Sequence, residues 1–406
     1  MKKLLQINSV VNTGSTGRIA EEIGLIATSR GWESHIAYGR YGNPSKSNTI
    51  KIGNILDTYW HILQTKIFDR HGMASKRATN KLVEKIDQVS PDIVHLHNIH
   101  GYYINIKILF DYLALKSIPV VWTLHDCWSF TGHCAYFDTV KCEKWKTECN
   151  NCPQKNGYPS SIFADRSKDN FYLKEELFNS PKNLYIVPVS NWLNNLVSKS
   201  FLNKIPTKVI HNGLDLKKFS SKSTKKVIKK YGLEDDFVIL GVANIWSERK
   251  GFNDFLELSK NLVENEKIIL VGLNEKQLKV LPKNIIGIKK TESIEELAEF
   301  YSVADVFVNP TYEDNFPTTN IEALACGTPV ITYNTGGSPE AISKETGFIV
   351  EQGNNKGLLD CIRQIKRLKK ENFTHSCRER AEKLFGKESK YSEYLYLYND
   401  LLNRQL

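Results

Sequence analysis

No run of apolar residues in this 406-residue sequence approaches the ~18 that a membrane-spanning helix needs. No internal repeat and no low-complexity tract is visible, and with 25% charged and 11% aromatic residues there is no compositional case for long disorder. The first residues, MKKLLQINSVVN, carry a basic pair, but their apolar run is broken at Gln6, Asn8 and Ser9, so they do not read as a secretory signal. A cytoplasmic protein is expected. Cysteine is sparse, 8 in the whole chain, and a chain long enough for two domains or three at roughly 150 residues each is no small disulfide scaffold.

What is present is an excess of positive charge, 55 Lys and Arg against 45 Asp and Glu. Nucleic acid, an anionic membrane surface and a phosphorylated small molecule are the three partners this leaves open. Cations crowd the segment from Lys51 to Lys85, where Lys66, Arg70, Lys76, Arg77 and Lys81 are interleaved with Tyr59, Trp60, Ile67 and Phe68. A solvated helical face accounts for such a run; docking at the inner face of a membrane is the functional alternative.

Short β-branched apolar runs alternate with longer stretches of helical period, the pattern of repeated βα units around a parallel sheet. Strands are read at KLLQINSV, SHIAYG, DIVHLHN, PVVWTLHD and NLYIVPVS, and again at TKVIHN, FVILGVAN, KIILVGL, DVFVNP and TPVITYN. In SIEELAEFYSVA, the apolar Ile294, Leu297, Ala298 and Tyr301 share one helical face. The expected organisation is two doubly wound α/β domains, 1–193 and 194–387, with an aromatic-rich helix over about 388–406 packing back on the first.

Three groups of residues could carry chemistry. The loop Asn12-Thr13-Gly14-Ser15-Thr16-Gly17-Arg18 lets backbone approach a ligand and leads into a helix whose first N–H groups favour an anion. Its G-x-x-G spacing is neither a dinucleotide fingerprint nor a P-loop. The strand end Thr123-Leu124-His125-Asp126 would point an imidazole into the crevice beyond the sheet, where open α/β sheets bind ligands; a structural histidine is the alternative. His95, His97 and His100 end another strand with nothing beside them to suggest a role.

The third group converges from three strand ends. After FVILGVAN come Arg249-Lys250-Gly251; after DVFVNP come Asp314, Asn315, Phe316 and Pro317, then a helix containing Glu322; after TPVITYN comes the Gly336-Gly337 loop. Cations, a helix N-terminus with a carboxylate one turn inside it, and a glycine loop together suit a nucleoside diphosphate.

Cys127, Cys134, Cys142, Cys149 and Cys152 lie in one segment with His133, directly after the His125 strand. Only Cys149 and Cys152 have the C-x2-C spacing of a zinc knuckle. Disulfides are disfavoured in a reducing compartment, so the choice lies between free thiols and a structural zinc held by four of these groups. The zinc is expected.

The block from Asp314 to Glu322 followed by Ala-Leu-Ala-Cys-Gly-Thr-Pro-Val-Ile resembles the Glu-x7-Glu signature of the retaining glycosyltransferases of family 4. The likeness extends through Arg249-Lys250-Gly251, His211-Asn212-Gly213-Leu214-Asp215 and Gly336-Gly337, and is nearest to bacterial members that build exopolysaccharide or other surface glycans. It implies a GT-B fold, two facing Rossmann-like doubly wound domains with a deep cleft between them. It also implies transfer of a sugar from a UDP- or GDP-sugar to a hydroxyl of a glycan or polyprenyl-linked acceptor, with retention and without a catalytic metal. By position, Glu322 would hold the ribose hydroxyls, and Lys250 with Arg249 would balance the leaving diphosphate. His125 would stand beside the sugar, and the Gly14–Gly17 loop would close over the phosphates. Asp314 stands where the family usually has a Glu, one methylene longer, with Glu313 beside it. The family's Arg before the Lys-Gly pair is replaced by Asn244-Ile245-Trp246, which puts the phosphate charge on Lys250, Arg249 and Arg18.

Nucleotide-sugar epimerases and glycosidic phosphorylases share the fold but lack the Asp314–Glu322 block in this form. A zinc-containing nucleic-acid-binding protein would explain the charge and the cysteines, yet no zinc-finger His pair or RNA-binding aromatic motif occurs; no nucleic acid partner is expected.

Overall fold

In the computed structural model, which describes residues 1–404, the chain divides into two compact units. The first comprises Met1–His211 together with the chain from Glu388 onward, and the second Asn212–Lys387.

The first unit contains β1 (Lys3–Asn8), α1 (Gly14–Ser29), β2 (Glu33–Tyr38), β3 (Asn48–Lys51), α2 (Ile55–Phe68), α3 (Lys76–Val89), β4 (Ile93–Leu96), α4 (Ile106–Leu115), β5 (Val120–Leu124), α5 (Ser167–Phe178), β6 (Leu184–Pro188) and α6 (Asn191–Val197). The second contains α7 (Lys225–Tyr231), β7 (Phe237–Val242), α8 (Phe252–Ser259), β8 (Glu266–Val271), α9 (Glu275–Leu278), β9 (Ile285–Ile288), α10 (Ile294–Val303), β10 (Val306–Asn309), α11 (Thr318–Ala325), β11 (Val330–Tyr333), β12 (Gly347–Val350), α12 (Asn355–Leu368) and α13 (Glu371–Phe385). The last helix, α14 (Lys387–Asn403), belongs to the first unit from Glu388 on.

Both sheets are parallel, in the orders β3-β2-β1-β4-β5-β6 and β12-β11-β10-β7-β8-β9. In each, the first strand lies beside the fourth, so chain progression reverses between β1 and β4 and between β7 and β10. Loops leaving the carboxyl ends of such a pair diverge to opposite faces and leave a crevice. The central strands are buried on both faces, which is why they read as apolar runs rather than alternating ones.

On one face of the first sheet, Ile19, Ile23 and Ile26 of α1 and Tyr391, Tyr394, Leu395 and Tyr398 of α14 form a single core with Leu4, Ile93, Val121 and Val187 of the strands. The helix is fastened by hydrogen bonds as well: Tyr398 Oη lies 2.6 Å from His95 Nδ1, and Thr123 Oγ1 donates to Tyr394 Oη at 3.1 Å. The aromatic run in α14 is therefore core.

TKVIHN is not a strand of the second unit. It lies along β6, where Lys208 N donates to Ile186 O at 3.1 Å and Ile210 N to Pro188 O at 3.2 Å. Those bonds carry the division to His211/Asn212, beyond the boundary expected at 193/194. The short edge strands β3, β9 and β12 do not announce themselves in sequence, because an edge position does not require a continuous apolar run; β3 is mostly exposed. Pro317 stands at the N-cap of α11 with φ −68°, directly before the first helical residue, Thr318.

Candidate functional site

In the second unit, the reversal between β7 and β10 gathers the third group of residues. After β7 the chain forms a 3-10 turn, Glu248–Lys250, and passes through Gly251 at φ 77° into α8. A side chain at Gly251 would place its Cβ 2.3 Å from the carbonyl oxygen of Pro310, so the loops after β7 and β10 touch backbone to backbone. Tyr312 N donates to Arg249 O at 2.8 Å, and Arg249 Nη1 donates to Glu313 O at 2.6 Å. These bonds hold Lys250 against Asp314, and the two side chains form an ion pair that is largely but not wholly buried. Glu313 turns its side chain into the protein.

Gly336, at φ 56°, brings the third loop onto this pair. Its Cβ would fall 1.9 Å from Asp314 O, and Gly337 N donates to that same oxygen at 3.1 Å. Asn315, Phe316 and Pro317 are buried and lead into α11, whose N-cap is a proline and provides no side-chain acceptor for the first N–H groups. Glu322, one turn inside, is half-buried and accepts from Tyr301 Oη at 2.8 Å. The cations, Asp314, the glycine loop and the helix start therefore share one crevice.

Sequence reasoning missed the knot beneath that crevice. Asn320 accepts from Asn309 Nδ2 at 2.8 Å and donates to Ser338 O at 3.1 Å, while Thr332 Oγ1 lies 2.6 Å from Ser338 Oγ. All four side chains are buried, and they tie β10, β11, α11 and the glycine loop together. Polar residues inside apolar strand runs, Asn309 and Thr332, were the available signal.

In the first unit, Gly17 and Arg18 lie within the opening turn of α1, which begins at Gly14 rather than at Ile19. Gly17 is buried, its Cβ position 3.0 Å from Val10 Cγ2; Arg18 is exposed. Thr13 makes no side-chain cap, so the first N–H groups of α1 are not taken up by it.

His125 follows β5 and is half-buried. His97, which the sequence left without a role, places Nδ1 3.2 Å from His125 Nε2. His100 Nε2 lies 2.8 Å from Asp126 Oδ2. His95 is taken up by Tyr398 and by Thr123 Oγ1, 2.8 Å from its Nε2.

Cys134, Cys142, Cys149, Cys152 and His133 line one cavity of about 10 Å3; Cys127 does not line it. His133 Nδ1 lies 2.6 Å from Asp69 Oδ1, and its Nε2 is buried with no partner. The thiols of Cys134 and Cys152 share a hydrogen bond, which holds the Cys152 thiol below its ordinary value and raises that of Cys134. Among the described residues, no three His, Cys, Asp or Glu side chains are gathered closely enough to hold an ion.

α2 is amphipathic the wrong way round for a core helix. It buries Thr58, His61 and Thr65 and exposes Leu56 (72%), Tyr59, Trp60 (56%) and Leu63, at i, i+3, i+4 and i+7. The exposed Ile162 and Phe163 adjoin its end, where Ile162 N donates to Lys66 O at 2.7 Å. Lys66, Arg70, Lys76, Arg77 and Lys81 are all exposed. No helix among the described residues is long and apolar enough to cross a membrane.

Residues 17–218 match the family described as Glycosyltransferase Family 4, and residues 223–384 the family described as Glycosyl transferases group 1. WcaC of Escherichia coli (strain K12), named for glycosyl transfer in colanic acid biosynthesis, is 25% identical over 86% of this chain and 87% of its own. An Escherichia coli enzyme named UDP-Gal:alpha-D-GlcNAc-diphosphoundecaprenol alpha-1,3-galactosyltransferase is 24% identical over 51% of this chain and 57% of its own. The solved structure of Anabaena Alr3699/HepE in complex with UDP covers 98% of this chain and 100% of its own, with a TM-score of 0.67 at 15% identity, and is also known with UDP-glucose.

The histidines of the first unit make its stability depend on pH. Burial lowers His61 to about 3 and His125 to about 4, and holds His71, His95 and His97 well below 6.5. The unfolded chain then binds more protons below about pH 6.5, so stability present above that pH is lost as it falls, at about 1.4 kcal/mol per pH unit for each group. His133 runs the other way: burial lowers it, but the hydrogen bond and charge of Asp69 together with the neighbouring Cys152 outweigh that and raise it. Urea titrations at about pH 7.5, 6 and 5 should show the unfolding midpoint falling with pH; a constant midpoint would mean these imidazoles are not held neutral.

Proposed function

The chain belongs to the GT-B glycosyltransferases, and from that membership we propose that it transfers a sugar from a UDP-sugar to a hydroxyl of a glycan or polyprenyl-linked glycan in surface polysaccharide synthesis, with retention at the anomeric carbon. One observation carries the site assignment. Lys250 and Asp314 are paired in the crevice of the second unit, beside the uncapped start of α11 and the Gly336-Gly337 loop.

As the glycosidic bond breaks, negative charge gathers on the diphosphate and positive charge on the sugar ring. Lys250 and the N–H groups at the start of α11 would meet the first, and the Asp314 carboxylate would face the second. Arg249 keeps the loop carrying Asp314 in place and adds its own positive charge. Glu322 would take the ribose hydroxyls, and Asn315, Phe316 and Pro317 would shape the approach to α11. From the first unit, His125 would stand beside the sugar, and the opening turn of α1, with Gly17 and Arg18, would supply N–H groups and a cation toward phosphate. The departing phosphate would accept the acceptor's proton on the same face of the sugar. The UDP complex of HepE supports uridine as the base, and the names of WcaC and the galactosyltransferase support a glycan or lipid-linked acceptor.

A screen of UDP-, GDP- and ADP-sugars by nucleotide release should single out a UDP-sugar, and Lys250→Ala should lower its turnover ~100-fold or more. Near-normal turnover in that variant would overturn the phosphate assignment.

The exposed face of α2 supports docking on an anionic membrane. Its apolar stripe, continued by Ile162 and Phe163, and the exposed cations Lys66, Arg70, Lys76, Arg77 and Lys81 in the same stretch of chain suit the acyl boundary and the lipid headgroups together. Such a surface would bring a cytoplasmic enzyme to a polyprenyl-linked acceptor. Sedimentation with phosphatidylglycerol vesicles should remove the protein from solution, and Trp60→Ser with Leu63→Ser, or neutralising Lys66, Arg70, Lys76 and Arg77, should release it. Unchanged sedimentation of both variants would remove the proposal.

For the cysteine loop, the proposal is a structural zinc on Cys134, Cys142, Cys149 and Cys152, supported by the single cavity that these thiols line. The ion would draw the thiols closer than they now stand and stiffen a segment otherwise held by the packing of Phe130, Phe137 and Trp145. Atomic emission on protein purified without a His-tag should give close to one zinc per chain; a ratio near zero discards it.

A further inference from the structure

Among the polar side chains buried at the first sheet are Gln6 in β1 and His97 just past β4, at 0% and 1% exposure. Which of their atoms can donate decides how they are oriented. Gln6 Nε2 donates to the backbone carbonyl of Ala20 at 2.8 Å, and a carbonyl only accepts, so the amide cannot be reversed. Gln6 Oε1 therefore faces His97 Nε2, 3.0 Å away, and that nitrogen must carry hydrogen.

Burial keeps the His97 ring neutral, which leaves a lone pair on Nδ1. Nδ1 lies 3.2 Å from His125 Nε2, with the two rings 19° from coplanar and their centroids 5.5 Å apart, the geometry of an in-plane edge-to-edge hydrogen bond. The hydrogen in that bond can only come from His125. His97 is also hemmed in, since His95 packs on its ring at a centroid distance of 4.1 Å and Trp122 Nε1 donates to its carbonyl at 3.0 Å.

We propose that Gln6 and His97 are positioning residues that hold His125 as its Nε2–H tautomer, so that it meets a hydroxyl of the transferred sugar through Nδ1 as a hydrogen-bond acceptor. The proposal rests on the reading of His125 as the histidine beside the sugar. With Nε2–H bonded to His97 and the Nδ1 lone pair spent on a sugar hydroxyl, such an imidazole has no nitrogen left to take the incoming hydroxyl's proton, which leaves that role to the departing phosphate.

Long-range 1H–15N spectra of the uniformly labelled full chain, with the His125 signals assigned by their loss in His125→Gln, read the tautomer directly. At about pH 7.5 the wild type should show Nε2 protonated and Nδ1 bare. His97→Asn places Oδ1 where Nδ1 was, and should keep this tautomer and turnover within ~3-fold of wild type for the sugar nucleotide found in the screen above. His97→Phe offers no acceptor, and should mix the tautomers and lower turnover ~10-fold or more.

A His125 protonated on Nδ1 in the wild type overturns the proposal whether or not the variants fold, and so does equal turnover in the two His97 variants. The spectra require no catalysis. A chain that releases nucleotide from no sugar nucleotide would therefore sink the transfer reading and leave the tautomer result standing.

Discussion

The backbone contact between the loops that leave β7 and β10 is the constraint on which the second unit's site depends. Gly251 has no room for a Cβ against Pro310, and the bond from Tyr312 N to Arg249 O holds the contact shut. Lys250 and Asp314, 64 positions apart in sequence, are neighbours for that reason. The glycine loop then closes on the same point, because Gly336 is pressed against the Asp314 carbonyl. A charged pair largely removed from water needs its geometry supplied by its surroundings, and here backbone supplies it.

The first unit solves a different problem. Its central strands carry Gln6 and His95, with His97 just past β4, where a parallel sheet ordinarily carries aliphatic side chains, and burying polar groups is costly unless each finds a partner. Their bonds run to Ala20 of α1, to Tyr398 of α14, to Thr123 of β5 and to His125 beyond it. The C-terminal helix therefore does more than cover the sheet: it occupies the histidine next to the one that bonds His125. A path of buried hydrogen bonds and ring contacts links the last helix of the chain to His125.

Much of this could be read from the residues. Parallel strands buried on both faces must be apolar runs, and the runs KLLQINSV, DIVHLHN, FVILGVAN and DVFVNP mark β1, β4, β7 and β10. A loop at a strand end with Lys-Gly, or with two adjacent glycines, points to its chemistry wherever it is folded. Edge strands β3, β9 and β12 were not legible, because half-exposed strands need no distinctive pattern. TKVIHN looked like any other strand, and only its pairing with β6 assigns it to the first unit. The cysteines were legible as a cluster but not as a set; the fold brings Cys134, Cys142, Cys149 and Cys152 to one cavity and leaves Cys127 off it.

By itself, then, the sequence determined the two doubly wound sheets and the residues that end their central strands, since both follow from local hydrophobic period and from side-chain chemistry. The tertiary structure alone decided partnership: Lys250 with Asp314, Asn320 with Ser338, and Gln6 and His97 with His125. Hydrogen-bond direction is a property of pairs of atoms, and the strand order that brings β1 beside β4 and β10 beside β7 is set by packing across the whole sheet. No local stretch of sequence contains either.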